Sequence, residues 1–412
     1  MVSAALPAEA RPRDVAVIAL VGIAHYSSHV LQLALAPLFP ILHQEFGASF
    51  TQLGLIVTLF YTASGLGQAA AGILVDRYGA HRLLIGGLTV LSLAIAAAGL
   101  AASYWMLLPL AVVAGLGNSV FHPADLSILS HRVSETRLGR AYAVHGISGV
   151  LGYATSPALV VAIAAYGNWR IALVAVGAVG LVVASILVAN RLLLVYGQAD
   201  RARPAGAPQR RGGYLGVIGS PVVLMAFAYF ALTAFAGSGI QTFSITALTS
   251  GYGVPLGVAT FALTFYLVGS ALGMVFGGFL ADRTSQHHRV AMSGIAIAGA
   301  MMLLIAGISD LELAIVPMMV VAGIANGTTA PSRDVLIRRA AAGAGMGSVF
   351  GFVYSGFDLG SSTAPLLFGA LLDHHAPHAV FVAIAGALAL AVPTVMQVRQ
   401  RAARSQAPAG AD

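Results

Sequence analysis

The sequence predicts an all-α integral membrane protein, with twelve transmembrane helices arranged as two pseudo-symmetric bundles of six. Three observations predict this fold. Of the 412 residues, 58% are hydrophobic and only 8% are charged, whereas soluble domains carry about 25% charged residues. Apolar runs long enough to cross a bilayer recur along the whole chain. Similar residues also recur in the two halves, which indicates an internal repeat.

Twelve apolar runs are separated from one another by glycine, proline, asparagine or charge. The first is too long for the apolar core of a cleaved signal peptide, so we expect a retained first span. Numbered as spans 1 to 12, the runs cover residues 15–41, 51–75, 83–102, 105–129, 139–165, 170–190, 217–247, 256–281, 290–308, 312–336, 346–371 and 378–398.

Arginine positions predict the orientation, because all 21 basic residues are arginine. With the N-terminus inside, Arg170 lies outside and Arg333 lies near the inner end of span 10. The others fall on the cytoplasmic side, which predicts cytoplasmic termini in a multi-pass protein of the inner (plasma) membrane. These arginines form no basic stripe. We therefore expect no nucleic-acid partner, and instead a monomer that contacts membrane lipid and a small-molecule substrate.

The chain divides at 196–215, a stretch rich in Arg, Pro and Gly that is typical of a linker. We predict an N-terminal six-helix bundle over 1–195, a cytoplasmic linker over 196–215, and a C-terminal six-helix bundle with a cytoplasmic tail over 216–412. Two parallel six-helix repeats are typical of secondary transporters that rock between two states. A shift of 206 residues aligns Gly67, Gly72, Asp76 and Arg77 with Gly273, Gly278, Asp282 and Arg283, and a shift of 208 aligns Gly115, Asn118, Pro123 and Gly152 with Gly323, Asn326, Pro331 and Gly360.

The stretch GILVDRYGAHR at 72–82 resembles the loop signature of the major facilitator superfamily, G-x-x-x-D-R-x-G-x-x-R. Its matching residues are Gly72, Asp76, Arg77, Gly79 and Arg82. The second copy keeps Gly278, Asp282 and Arg283 but has Ser285 in place of the second glycine. The stretches GNSVFHPAD (117–125) and LGRAYAVHGISGVLG (138–152) resemble the fosmidomycin-resistance-type subgroup, and A-P-S-R-D (330–334) is the second-half counterpart of H-P-A-D.

The resemblance implies a carrier that works by alternating access. It assigns cytoplasmic gating to the two loops, with Asp76 latching against span 11 and Asp282 against span 5. We expect Gly72 to permit the close approach of a neighbouring helix. In span 5, Gly146, Gly149 and Gly152 partly match the antiporter signature of the superfamily, although Ser156 stands where a glycine precedes the proline; close helix packing explains these glycines equally well.

Ionisable residues within the spans are costly unless they line a cavity or have a partner. Asp358 in span 11 is a candidate for proton coupling, or a structural acid bonded to a neighbouring helix. His25, His29 and Gln32 share one face of span 1 at i, i+4 and i+7, which predicts that they face a central cavity. Both histidines are candidates for proton coupling, with helix–helix hydrogen bonding as the alternative. We predict no metal site, because cysteine is absent and no carboxylate lies near the histidine pair in the sequence.

Other polar residues lie towards the inner ends of spans 4, 5 and 10. We assign His122, Asp125, Arg333 and Asp334 to cytoplasmic gating, with attraction of an anionic substrate as the alternative for Arg333. The predicted substrate cavity comprises His25, His29, Gln32, His145, Tyr229, Gln241 and Asp358.

These features predict a secondary active transporter that moves a small organic solute by proton-coupled efflux (antiport). Proton-coupled uptake (symport) of a small carboxylate or other nutrient is the alternative, and a non-transporting membrane receptor is the alternative from a different class. We expect no enzyme, because the chain has no G-x-S-x-G or H-E-x-x-H motif and no lysine for an ATP-binding loop. No cofactor is expected, and the proton gradient would supply the energy.

Overall fold

The computed structural model describes residues 10–196, 220–308, 312–340 and 346–406. The described residues form long helices in the predicted order. A short helix, Arg191–Leu194, follows span 6. The spans are Ala10–Gln32, Ala36–Leu38 and Phe39–Phe46 (span 1), Phe50–Tyr78 (2), Ala80–Ala98 (3), Tyr104–Asn118 and Phe121–Arg132 (4), Glu135–Tyr166 (5), Trp169–Ala189 (6), Pro221–Tyr252 (7), Leu256–Arg283 (8), His287–Gly307 (9), Ile315–Ala340 (10), Met346–Asp373 (11) and Pro377–Gln406 (12).

The predicted all-α fold is confirmed over the described residues. Ten of the spans, 1 to 9 and 12, are long and apolar enough to cross a membrane. Spans 10 and 11 are of similar length, at 26 and 28 residues, and carry the polar groups Arg333 and Asp358. Ten of the twelve predicted spans therefore meet both criteria over the described residues.

Two of the predicted runs are interrupted rather than continuous. Span 1 is broken between Gln32 and Phe39, where a 3-10 turn contains Pro37 and Pro40 follows. Span 4 is broken between Asn118 and Phe121. Proline has no N–H to donate, and its ring clashes with the carbonyl four residues earlier. Pro123 lies in the first turn after the break in span 4, whereas the equivalent Pro331 lies inside a continuous span 10.

The described chain separates into two compact units. Unit 1 comprises Met1–Ile41 and Leu59–Pro204, and unit 2 comprises Leu42–Thr58 and Ala205–Asp412. In unit 1, span 1 packs against span 5, and span 3 packs against spans 4 and 6. In unit 2, span 7 packs against spans 11 and 12, and span 8 packs against span 10. Apart from Tyr196, the predicted linker lies outside the described residues, so its boundaries stay a prediction.

The internal repeat is visible in equivalent glycine contacts. A Cβ on Gly115 of span 4 would overlap the carbonyl oxygen of Phe60 on span 2. A Cβ on Gly323 of span 10 would likewise overlap the carbonyl oxygen of Tyr266 on span 8. The glycines are 208 residues apart and their partners 206 apart, which are the two shifts that align the sequence copies. Both halves thus bring equivalent backbones together through equivalent glycines.

The two copies of the loop signature form different turns. Spans 2 and 3 are joined by Gly79 alone, with φ at 92° and ψ at 134°, a conformation that is essentially restricted to glycine. Spans 8 and 9 are joined by residues 284–286, where the backbone N–H of Gln286 donates to Thr284 Oγ1 at 3.0 Å. No described non-glycine residue of this turn has a positive φ, which is why Ser285 is tolerated in the second copy.

Gly72 has a different environment from the one that we expected. Outside the adjoining stretch of the same helix, no described atom lies within 4 Å of the position that a Cβ would occupy on Gly72 or on Gly278. Within the described part of the chain, the close approach of helices is made by other glycines, such as Gly115 and Gly323.

We predict that Gly79→Ala destabilises the protein by about 1–3 kcal/mol, because alanine is strained at this positive φ. Ser285→Gly serves as the matched control, with a change of less than about 1 kcal/mol, since it relieves no strain. Thermal unfolding of the purified variants in detergent measures both. Equal unfolding temperatures for Gly79→Ala and the parent protein would contradict the strained turn.

Candidate functional site: a buried histidine–aspartate cluster

Glycines of span 5 allow its backbone to lie directly against span 1. A Cβ on Gly149 would stand 2.9 Å from His25 Nε2, and a Cβ on Gly152 would overlap the carbonyl oxygen of Tyr26. One turn further along, Ser156 Oγ donates a hydrogen bond of 2.7 Å to the carbonyl oxygen of Val30. The two helices therefore enclose whatever side chains lie between them.

The side chains that meet there are two imidazoles and one carboxylate. Asp125 Oδ2 lies 3.2 Å from His25 Nδ1 and 3.1 Å from His145 Nε2. The His25 and His145 rings stack with their centroids 3.7 Å apart. All three residues are buried. We call His25, His122, Asp125 and His145 the histidine–aspartate cluster; it is built from spans 1, 4 and 5.

Three more side chains lie beside these three groups: His122, which we include in the cluster, and His29 and Tyr153, which lie outside it. The ring of His122 lies 5.3 Å from that of His25, and its side chain is exposed. The ring of His29 lies 4.5 Å from His25 and 4.2 Å from Tyr153. A carboxylate among imidazoles can hold a positive charge, supplied by a proton or by a cation.

The break in span 4 helps to build this arrangement. His122 and Asp125 are the second and fifth residues of the helix Phe121–Arg132, which begins just after the break. Residues at i and i+3 lie on the same helix face, so both side chains can face span 1. Pro123 stands between them, and the break just before this helix sets the direction of the segment.

The structure brings together residues to which we assigned separate roles. His25, His29 and His145 were expected in the substrate cavity, and His122 and Asp125 in cytoplasmic gating. The expectation that no carboxylate lies near the histidine pair is wrong, because helix packing brings Asp125 to His25 from far along the chain. The assigned roles themselves stay predictions.

The remaining predicted cavity residues lie elsewhere. Gln32 is half-buried at the end of its helix in unit 1, while Tyr229 is buried and Gln241 half-buried in span 7 of unit 2. Of the predicted gating residues, Asp76, Arg77, Arg82, Asp282 and Arg283 are exposed at the ends of their spans. The side chain of Asp334 lies outside the described residues.

Unit 2 has different side chains at the position equivalent to the histidine–aspartate cluster. A Cβ on Gly360 would overlap the carbonyl oxygen of Ala231, just as a Cβ on Gly152 would overlap the carbonyl oxygen of Tyr26. This correspondence makes Phe230 the counterpart of His25, and the 208-residue shift makes Arg333 the counterpart of Asp125. The Arg333 guanidinium lies 4.8 Å from the centre of the Phe230 ring. A cation–π contact thus replaces the carboxylate–imidazole contact of unit 1.

Asp358 is the thirteenth residue of span 11. Gly356 and Gly360 press against span 7, where a Cβ on Gly356 would stand 2.7 Å from the carbonyl oxygen of Phe227. Asp358 is two residues from each glycine, which places it on another side of the helix. Its side chain is half-buried, and no described residue forms a hydrogen bond or ion pair with it.

Asp373, at the end of span 11, is a polar site that the sequence argument missed. Its carboxylate accepts hydrogen bonds from the N–H groups of Phe50 at 2.7 Å and Thr51 at 2.9 Å, within unit 2. It thereby caps the first turn of span 2, where unpaired N–H groups favour a negative charge. One feature of the sequence could have identified Asp373. It is an acid that follows an apolar run, at the end of the span that the arginine positions predict to lie outside the cytoplasm.

A protein of two repeated six-span halves, with ionisable groups buried among the helices, has the architecture of a secondary transporter. The chain belongs to the Major Facilitator Superfamily, whose sequence profile matches residues 18–255 and again 230–411. It is accordingly a multi-pass membrane protein, and its family and fold are those of transporters rather than of enzymes.

Individual proteins resemble this chain at low sequence identity. The fosmidomycin resistance protein of Escherichia coli (strain K12) is 24% identical over 286 residues, 68% of this chain and 69% of that protein. The membrane sensor protein UhpC of the same organism is 24% identical over 277 residues, 62% of this chain and 61% of that protein. A bacterial homolog of the human lysosomal transporter Spinster, in an inward-facing and occupied conformation, has the same fold with a TM-score of 0.78 at 17% identity, covering 97% of this chain and 99% of that one.

We predict that Gly152→Ala destabilises unit 1 by about 1–3 kcal/mol, because the added Cβ forces span 5 away from span 1. Gly146→Ala is the matched control on the same helix, since no described atom outside the adjoining stretch of span 5 lies within 4 Å of its Cβ position. The control should leave stability unchanged or raise it by up to about 1 kcal/mol. Thermal unfolding in detergent compares the two, and equal effects would contradict the packing role of Gly152.

Proposed function

We propose that the protein exports a small organic solute in exchange for protons across the inner (plasma) membrane, with both termini in the cytoplasm. It would act as a monomer with the proton gradient as its energy source and without a cofactor. Secondary transport by alternating access follows from the family. The direction is supported by the similarity to a protein named for fosmidomycin resistance.

Asp358 carries the proposal for proton coupling. A carboxylate within a membrane-spanning helix is costly unless it has a partner, a proton or access to water. Asp358 is half-buried and has no hydrogen-bond or ion-pair partner among the described residues. It can therefore take up a proton when water is excluded and release it when water returns. Such a group can couple the proton gradient to the transport cycle.

The helix around Asp358 supports this role. Ser355, Asp358 and Ser362 recur at i, i+3 and i+7, so they share one face of span 11. Ser355 is exposed and Ser362 is half-buried. The opposite side holds Gly356 and Gly360 against span 7. Span 11 is thus anchored by its small residues and presents its polar residues away from that contact.

We predict that Asp358→Asn abolishes proton-driven accumulation of solute while solute exchange down its own gradient continues, because asparagine cannot bind and release a proton. Proteoliposomes with an imposed pH gradient and fosmidomycin as the probe solute measure the two modes. Glu312→Gln, which removes an exposed acid before span 10, is the matched control and should retain both. Concentrative transport by Asp358→Asn at the parent rate would rule out the coupling role.

A second measurement tests the direction of coupling. Fosmidomycin is added outside proteoliposomes that contain a trapped pH indicator, with no initial pH gradient. An antiporter releases protons as solute enters, so we expect the lumen to become alkaline and the outside to become acidic. Alkalinisation of the outside would instead identify proton-coupled uptake, the symport alternative.

The similarity to the membrane sensor protein UhpC favours a second candidate function, a receptor that binds a solute without transporting it. Counterflow separates the two functions. A transporter in vesicles preloaded with unlabelled solute accumulates labelled solute from outside. A solute that binds to the purified protein and shows no counterflow would identify a receptor.

A further inference from the structure

The histidine–aspartate cluster presents the ligand types that transition metals prefer. We propose that His25, His122, Asp125 and His145 together bind one transition-metal dication, with Zn²⁺ as the best match. This site goes beyond the proposed function, because it requires neither proton coupling nor a direction of transport.

The spacing of the ligand atoms carries the proposal. Ligands held about 2.0–2.1 Å from a tetrahedral zinc ion are about 3.3 Å from one another. Asp125 Oδ2 lies 3.2 Å from His25 Nδ1 and 3.1 Å from His145 Nε2. Ring nitrogens of His25, His122 and His145 all lie within 4.8 Å of one another. Two ligand pairs therefore have the required spacing, and His122 must move inward to complete the set.

Two buried atoms that lack a well-aligned hydrogen-bond partner point to the same ligand. His25 Nδ1 is buried and lies 3.2 Å from Asp125 Oδ2, but the contact lacks the alignment of a good hydrogen bond. Asp125 Oδ1 is also buried without a described hydrogen-bond partner. Buried polar atoms nearly always have partners, so such exceptions call for an explanation. A dication would bind the lone pairs of both residues without the linear alignment that a hydrogen bond requires.

The donor set selects the class of metal. Three imidazoles and one carboxylate suit Zn²⁺, Co²⁺ or Ni²⁺, whereas Mg²⁺ and Ca²⁺ prefer oxygen ligands. The chain has no cysteine, so a thiolate site is excluded. The exposed side chain of His122 supplies the entry path for an ion.

The competing explanation is a hydrogen-bonded His–Asp–His arrangement without a metal. The 3.1 Å contact between His145 and Asp125 is such a bond. In this explanation, His25 Nδ1 has no well-aligned hydrogen-bond partner, and His122 makes no contribution to the arrangement. The two explanations therefore make different predictions for His122.

The experiment uses the full-length protein, purified in detergent with an affinity tag that contains no histidine and then dialysed against a chelator. We expect isothermal titration calorimetry to show one Zn²⁺ bound per chain, with no displacement by excess Mg²⁺. Co²⁺ should bind at the same site with the intense visible absorption of tetrahedral coordination. His122→Ala should weaken Zn²⁺ binding by at least about tenfold, while His374→Ala, which removes an exposed histidine in unit 2, should not.

Equal Zn²⁺ affinity in His122→Ala and the parent protein would overturn the assignment, as would loss of binding in His374→Ala. His122→Ala carries the test because its exposed side chain is not part of the packed core. The double variant His25→Ala/His145→Ala should abolish the cobalt spectrum in protein that remains monodisperse on size-exclusion chromatography. No step involves a gradient or a solute, so failure here is distinguishable from failure of the proposed export.

Discussion

The backbones of spans 1 and 5 come into contact because Gly149 and Gly152 have no side chains to separate them. A membrane interior offers no water to buried polar groups, so helices must satisfy those groups among themselves. The glycine contact encloses His25 between the two helices and against Asp125 of span 4. The histidine–aspartate cluster depends on this contact, because a wider separation would take His25 away from Asp125.

The same scaffold recurs in unit 2 with other chemistry. Gly360 repeats the contact of Gly152, but Phe230 and Arg333 stand where unit 1 has His25 and Asp125. Small residues at the helix contact thus preserve the repeat, while the polar positions between the helices diverge. This division explains how a pseudo-symmetric fold can give its two halves different tasks. One half holds a cluster of imidazoles around a carboxylate, and the other holds an arginine against aromatic rings and an isolated acid, Asp358.

Part of the candidate site could be predicted from local periodicity. His25 and His29 share a helix face because four residues make about one turn, and Asp358 was identifiable as an acid in an apolar run. The contact of Asp125 with His25 could not be predicted in this way. It depends on the break in span 4, on the glycines of span 5 and on the packing of span 1 against spans 4 and 5, which lie far from it in the chain. The same applies to Asp373, whose partners on span 2 precede it by most of the sequence.

The sequence by itself determined that the protein lies in a membrane, and it also determined the number and order of the helices, the internal repeat and the family. These features follow from composition, local hydrophobicity and short motifs. Only the tertiary structure decided which buried polar residues meet. Side chains on different helices become neighbours through packing, and the distances that matter for a proton or a metal are set by how closely the backbones can approach.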